Sequence, residues 1–154
     1  MRSSSRSPFA ELESAASLID PVLLEAYRET RYHVQVSPAF TLRIDEPSAQ
    51  LLALQGRHGA DSSAFLTACN PRSERIADVA NAFRQAALLS EITRRGLPWF
   101  PGLGQHPTNG WEGEPSFLVL GLARDAAGEL GRRFGQNAIL WSAADGVPRL
   151  VALR

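Results

Sequence analysis

The stretch AFLTACNPRS, residues 64–73, passes from nearly continuous apolar side chains to Cys-Asn-Pro and then to charge. Residues 64–68 alternate too little to have a wet face, so they predict a central β-strand. Asn70 is a favourable helix cap and Pro71 suits a first helical position, so a helix is predicted from about Arg72 to Arg94. The direction of the strand decides which polar residues can meet.

A further central strand is predicted at residues 116–122 and another strand at 137–142, with a short amphipathic helix between them. This is a β-α-β unit, whose strands are parallel and whose crossover is right-handed. Glu114 and Gln136, directly before the two strands, therefore share one end of the sheet. Asn70 joins them if strand 64–68 is antiparallel to both, and otherwise lies about 17–20 Å away. We favour the antiparallel arrangement because an N-terminal hairpin implies a mixed sheet.

That hairpin is predicted from alternating apolar and polar residues at 31–36 and 40–45, and a helix at Asp20-Pro21 precedes it. A second short helix follows Ser48, and Asp145-Gly146 predicts the last turn. The fold class expected is α+β, a single domain with a mixed, largely antiparallel sheet, one β-α-β unit and helices packed mainly on one face. Residues 1–19 are expected to be a flexible arm, and residues 20–154 the domain.

Composition restricts the function. The 154 residues are 44% hydrophobic and 21% charged, with zero formal net charge, which argues against nucleic acid and membrane partners. All 16 basic residues are arginine, so no lysine can form a Schiff base or act as a base. The single cysteine, Cys69, allows no intramolecular disulfide, and no signal-like segment is present. The sequence thus predicts a soluble, cytoplasmic protein.

Four motifs stand together: YRETRYHV at 27–34, TACNPRS at 67–73, WEGEPSFLVLGL at 111–122 and FGQNAILW at 134–141. In this combination the chain resembles a bacterial family known as domain of unknown function 3293, from about residue 27 to residue 151. The resemblance implies that the matching positions matter in the family; these are Asn70, Pro71, Ser73, Asn81, Trp111, Glu114 and Gln136. It implies no activity, and Cys69 falls where the family varies.

These positions suggest a candidate site with ligand-binding residues Asn70, Ser73, Asn81, Glu114 and Gln136. The N-terminus of the helix after Asn70 would favour negative charge there. The Gly- and Pro-rich segment 97–113, with His106, is predicted to be a loop that covers the site, with an edge strand near Trp99 as one option. No cofactor is expected, and the histidines lack the spacing of metal ligands.

Each residue also has a structural interpretation. Asn70, or else Ser73, caps the helix; Asn81 is an ordinary surface residue; Gln136 ties the sheet edge to the loop. Glu114 accepts hydrogen bonds or pairs with an arginine such as Arg72. Trp111 packs in the core, and Cys69 is a small buried hydrophobe.

Three functions remain open. The first is a binding module for a polar or anionic small molecule, such as a nucleotide. The second is a hydrolase or transferase with Glu114 as general base, which a raised pKa in a concave pocket would favour. The third is a regulatory domain that contacts a protein through the Trp- and Pro-rich loop.

Overall fold

The elements follow one another along a computed structural model that describes residues 19–154. The helices are α1 (Pro21–Glu29), α2 (Ala49–Arg57), α3 (Asp78–Arg94) and α4 (Arg124–Arg133). The strands are β1 (Arg31–Val34), β2 (Phe40–Leu42), β3 (Ser63–Leu66), β4 (Trp99–Gln105), β5 (Glu114–Leu120), β6 (Ala138–Ser142) and β7 (Arg149–Ala152). The arm predicted over residues 1–19 lies, except for Ile19, outside the described residues.

The seven strands form one sheet in the order β2-β1-β4-β5-β3-β6-β7, and every neighbouring pair is antiparallel. Strand β3 lies between β5 and β6 and runs opposite to both. The two strands of the β-α-β unit are therefore parallel to each other without being neighbours. The α+β class and the antiparallel direction of strand β3 are both confirmed.

Helices cover both faces of the sheet, whereas the sequence predicted mainly one covered face. On one face α3 and α4 pack on a core that includes Leu88, Val119 and Ile139. On the other face α2 and α1 pack on a core that includes Leu51, Leu118 and Leu140. Because successive strand residues point to opposite faces, consecutive apolar residues in β5 and β6 supply both cores. The central strands lack polar alternation for this reason.

The segment 97–113 was predicted to be a covering loop, with an edge strand near Trp99 as one option; a strand does start at Trp99, but it is not at the edge of the sheet. Its first part is β4, an inner strand that pairs with β1 and β5. Two residues made an inner strand hard to predict here: Pro101 and Gly102, both of which are unfavourable inside a sheet. A Cβ at Gly102 would lie 2.6 Å from Cε2 of Phe65, so only glycine fits beside that ring. The loop itself is confined to residues 106–113.

The start of α3 also differs from the prediction. The helix begins at Asp78 rather than Arg72, and a 3₁₀ turn at Pro71–Ser73 and extended residues precede it. Asn70 makes no side-chain capping hydrogen bond to that turn, and Ala77 precedes α3 without a side-chain cap. The expected helix N-terminus at Asn70 is therefore absent there. The Asn70 side chain is engaged by other partners instead, as described below.

Candidate functional site

The candidate site lies at the end of the sheet where β3 ends and β5 and β6 begin. Asn70 follows β3, Glu114 is the first residue of β5, and Gln136 precedes β6. Since β3 is antiparallel to both neighbours, its carboxyl end meets their amino ends. Strand direction thus brings together residues that are far apart in sequence.

A hydrogen-bond network joins three of the five candidate residues. The Asn70 side-chain amide donates to Glu114 Oε2 at 2.7 Å, and its Oδ1 accepts from Asn81 Nδ2 at 2.9 Å. Asn81 Oδ1 accepts from the Asn70 backbone N–H at 2.8 Å, so the two asparagines are bonded twice. Trp111 Nε1 donates to the same Glu114 oxygen at 3.2 Å. The carboxyl group is therefore held in one orientation.

The turn after β3 has an uncommon backbone. Asn70, Arg72 and Ser73 all have positive φ, at 46°, 58° and 59°. Asparagine tolerates the left-handed region, but arginine and serine rarely adopt it, and such residues cluster at functional sites. The turn is fixed by Arg72 N–H, which donates to the Gly135 carbonyl at 2.7 Å, and by Ile76 N–H, which donates to Asn70 Oδ1 at 3.2 Å.

Helix α3 supports the turn from the opposite side of the sheet. Gln85 Oε1 accepts from the Ala68 backbone N–H at 2.9 Å, and its Nε2 donates to the Pro115 carbonyl at 2.9 Å. Arg84 Nε donates to the Ala68 carbonyl at 2.7 Å.

Gln136 Nε2 donates to the Cys69 carbonyl at 3.1 Å. The structural interpretation of Gln136, as a tie between this turn and the start of β6, agrees with this bond.

A cavity of about 190 Å³ opens beside the network on the face covered by α1. Asn70, Ser73, Glu114 and Gln136 line it, whereas Asn81 stands behind Asn70 and does not. Most of the remaining wall is apolar or aromatic and comes from α1, the inner strands and the 106–113 loop; it includes Leu23, Tyr27, Phe65, Trp111, Leu140 and Leu150. Tyr32 and Phe65 meet edge to face in this wall, with ring centroids 5.4 Å apart.

Glu114 is the one carboxyl group among the residues that line the cavity in the described part of the chain, and no arginine is among them. Burial raises the pKa of Glu114 above its ordinary value. The hydrogen bonds from Asn70 and Trp111 and the positive charge of Arg75 oppose this effect. Arg75 lies over the Trp111 ring at 4.7 Å from its centroid and is half exposed. The predicted partner Arg72 is not among these groups.

Ser73 belongs to a second polar group on the cavity wall. Its Oγ lies 2.8 Å from the Tyr27 hydroxyl, and Asn137 Nδ2 donates to both oxygens at 3.2 and 3.4 Å. Burial raises the pKa of Tyr27, so its phenol stays protonated and can donate. Ser73 does not cap a helix, as one interpretation had it. Its role is to connect α1 to the start of β6.

Several residues that the sequence analysis missed complete the site. Tyr27, Asn137 and Gln85 were not among the candidate site residues. The proximity of Asn137 to Gln136, and the spacing of four residues from Asn81 to Gln85 along α3, were the available signals. Trp111 was expected to be core packing, yet its indole N–H contacts Glu114.

Three features are not found in the described residues: an activated thiol, a metal-ligand cluster and a membrane-spanning helix. Cys69 is a buried free thiol, and burial raises its pKa, so it is not an activated nucleophile. Within residues 19–154, no group of three or more His, Cys, Asp or Glu side chains is placed to hold a metal ion. Over the same residues, no helix combines the length and the apolar character that crossing a bilayer requires.

These features define an α+β domain with an acidic, network-held residue at a small cavity. The family model described as Protein of unknown function (DUF3293) matches residues 66–139 of the chain, which supports the resemblance expected from the motifs in that segment. All five candidate residues lie inside the matched segment, whereas α1 and the first hairpin lie before it. No curated protein and no solved structure matches the chain.

Proposed function

We propose that this chain is a binding protein for a compact small molecule, held in the cavity between α1 and the sheet. The observation that carries the proposal is the cavity itself: a space of about 190 Å³ with aromatic and aliphatic walls and one oriented carboxyl group. Small-molecule sites generally combine an apolar lining with a few placed polar groups.

The volume sets the size of the ligand. A dry cavity of about 150 Å³ holds benzene, so this one suits a molecule of on the order of ten non-hydrogen atoms. A whole nucleotide is too large for the space, and the absence of arginine among the described lining residues disfavours an anion. Size and charge together therefore favour a ligand smaller than a nucleotide and without negative charge, in contrast to the polar or anionic molecule expected from the sequence.

The test is a thermal-shift screen of compounds up to that size, with nucleotides and sulfate included as the expected negatives. A ligand at a hundred times its dissociation constant adds about 2.7 kcal/mol to the free energy of unfolding, which is a visible shift. We expect compact amphipathic compounds to raise Tm.

Ala26→Leu supplies the decisive variant, because Ala26 lines the cavity from α1 and a leucine there fills it. Ala86→Leu, at an exposed position of α3, is the matched control. Loss of the shift in Ala26→Leu alone supports binding in the cavity. Equal shifts in both variants place binding elsewhere and refute the proposal.

A second candidate function is an enzyme in which Glu114 transfers a proton. The specific observation in its favour is the raised pKa of Glu114 in a concave pocket, since general acids and bases are tuned by burial in this way. Turnover of small ester or amide substrates that vanishes in Glu114→Gln, while binding persists, would support it. Turnover that survives in Glu114→Gln would exclude Glu114 as the proton-transferring group.

The third function rested on an exposed Trp- and Pro-rich loop. Trp99 and Phe100 lie in β4, where they are half buried and pack against the cores of opposite sheet faces. An interaction surface built on these two residues therefore has no support from their packing.

A further inference from the structure

The oxygen atoms that line the cavity indicate which kind of ligand it binds. This inference rests on the proposed function. Glu114 uses Oε2 for both of its side-chain hydrogen bonds, from Asn70 and Trp111. Glu114 Oε1 has no hydrogen-bond partner within residues 19–154. Gln136 donates through Nε2 to the Cys69 and Phe134 carbonyls, and its Oε1 likewise has no partner in the same residues.

Each of three other polar side chains near the carboxyl group already makes at least one hydrogen bond within the protein. The Asn70 amide donates to Glu114 while its oxygen accepts twice. The Thr67 hydroxyl donates to the Pro115 carbonyl at 2.7 Å, and the Tyr32 hydroxyl donates to the Tyr27 carbonyl at 2.7 Å. The wall around Glu114 thus presents free acceptor oxygens, and beside them the second N–H of the Asn70 amide has no acceptor within residues 19–154.

Another donor lies on the far side of the cavity. Asn137 donates to both hydroxyls of the Tyr27–Ser73 pair, and one hydroxyl hydrogen joins the pair itself. The second hydroxyl hydrogen has no acceptor in the described chain. Among the described lining residues the cavity therefore offers free donors as well as the two free acceptor oxygens, and its one carboxyl group is among the acceptors.

The aromatic lining favours the same kind of ligand. Tyr27, Tyr32, Phe65 and Trp111 contribute rings to the wall, and the faces of such rings attract cations. Arg75, which is not among the lining residues, lies over the Trp111 ring at 4.7 Å from its centroid, so a cation already packs on this ring.

We propose that the cavity binds a small organic cation: a primary amine on a compact apolar body, with the ammonium group donating to Glu114 Oε1 and Gln136 Oε1. An ammonium group supplies three donors and no acceptor, which matches these oxygens. The apolar body fills the space lined by Phe65, Leu140 and Leu150. Binding is non-covalent, and no bond is made or broken.

The test compares three probes of similar size by NMR titration of the full chain: phenethylamine as the cation, acetophenone as a neutral acceptor and phenylacetate as the anion. We expect phenethylamine to bind at least about tenfold more tightly than the other two, because a charge-assisted hydrogen bond contributes an effect of that order. We expect Glu114→Gln to remove this preference, and Ala26→Leu to weaken binding of every probe.

The outcomes separate this inference from the proposed function. If all three probes bind alike and Ala26→Leu blocks them, the cavity binds small molecules and the amine inference is wrong. A preference for acetophenone would mean that Glu114 carries a proton and donates, which also overturns the inference. If no probe binds and the wider screen finds no ligand, both proposals fail. If Glu114→Gln does not fold, the relative affinities of the three probes for the unmodified protein still test the preference for the amine.

Discussion

Replacing Asn70 with alanine should destabilise the protein strongly, because the side chain joins the turn, α3 and Glu114. It is 9% exposed and makes three hydrogen bonds: to Glu114 Oε2, from Ile76 N–H and from Asn81 Nδ2. Alanine would leave two donors and a carboxylate oxygen without these partners. It would also have to adopt φ of 46°, which asparagine tolerates better.

The magnitude follows from these bonds. A hydrogen bond to a charged group contributes about 1.5–3 kcal/mol and each neutral one about 0.5–1.5 kcal/mol. We therefore expect a loss of about 3–5 kcal/mol for Asn70→Ala. For a chain of this length each kcal/mol lowers Tm by about 2–4 °C, so the shift is about 6–20 °C.

The assay is urea unfolding followed by circular dichroism, with Asn70→Gly as the companion variant. Glycine adopts positive φ without strain but removes the same hydrogen bonds. We expect Asn70→Gly to be nearly as destabilised as Asn70→Ala, since the network provides most of the effect. A glycine variant close to wild type, with only alanine destabilised, would show that backbone conformation matters and the network does not.

Three further predictions concern pH, packing and reactivity. The pKa of Glu114 is raised in the folded state, so its contribution to stability is present below the unfolded pKa of about 4.3 and is lost as pH rises through the folded value. Unfolding measured from pH 4 upward should therefore show Glu114→Gln gaining stability relative to wild type as pH rises, and a constant difference would contradict this. Gly135→Ala should cost about 1–3 kcal/mol, because Gly135 has φ of +71° and an added Cβ would lie 2.9 Å from Pro71 Cβ. Gly59→Ala, at φ of +62° with open space around it, should cost less, and equal losses in denaturant melts would count against the contact. Cys69, at 3% exposure and with a raised thiol pKa, should react with iodoacetamide only after unfolding; fast labelling of the native protein would show that the turn opens.

The sequence was informative about strand direction and about which polar residues converge. Glu114, Asn70 and Gln136 could be assigned to one sheet end because β-α-β geometry and the position of β3 leave few choices. Apolar runs without alternation also identified the central strands. The strands were identified from hydrophobic periodicity, which is a local property of the sequence. Their directions were inferred from connection rules, which follow from the chirality of the chain.

Other features depended on contacts that the sequence does not display. The inner position of β4 was not predicted because Pro101 and Gly102 are unfavourable in inner strands, and the glycine is explained only by the Phe65 ring beside it. The start of α3 was misplaced because Asn70 and Pro71 have the residue types of a helix start. In the folded chain, Asn81 and Glu114 bind the Asn70 side chain and prevent its use as a cap.

The cavity could not be predicted from the sequence. Its size depends on how α1 lies across the sheet and on which side chains meet there, such as Tyr27 with Ser73. The ligand that we propose from the cavity therefore differs in charge from the one expected from the sequence. Residue types suggested an anion at a helix N-terminus, whereas the observed walls present acceptor oxygens and aromatic rings.

Chemical-shift mapping of isotope-labelled protein during a phenethylamine titration tests the central claim most directly, because it reports where a ligand binds as well as whether it binds. The account predicts saturable shifts in the side-chain carboxyl carbon of Glu114 and in the rings of Tyr27 and Phe65, which line the same cavity. Shifts confined to surface residues, with these three groups unaffected at saturation, would contradict it.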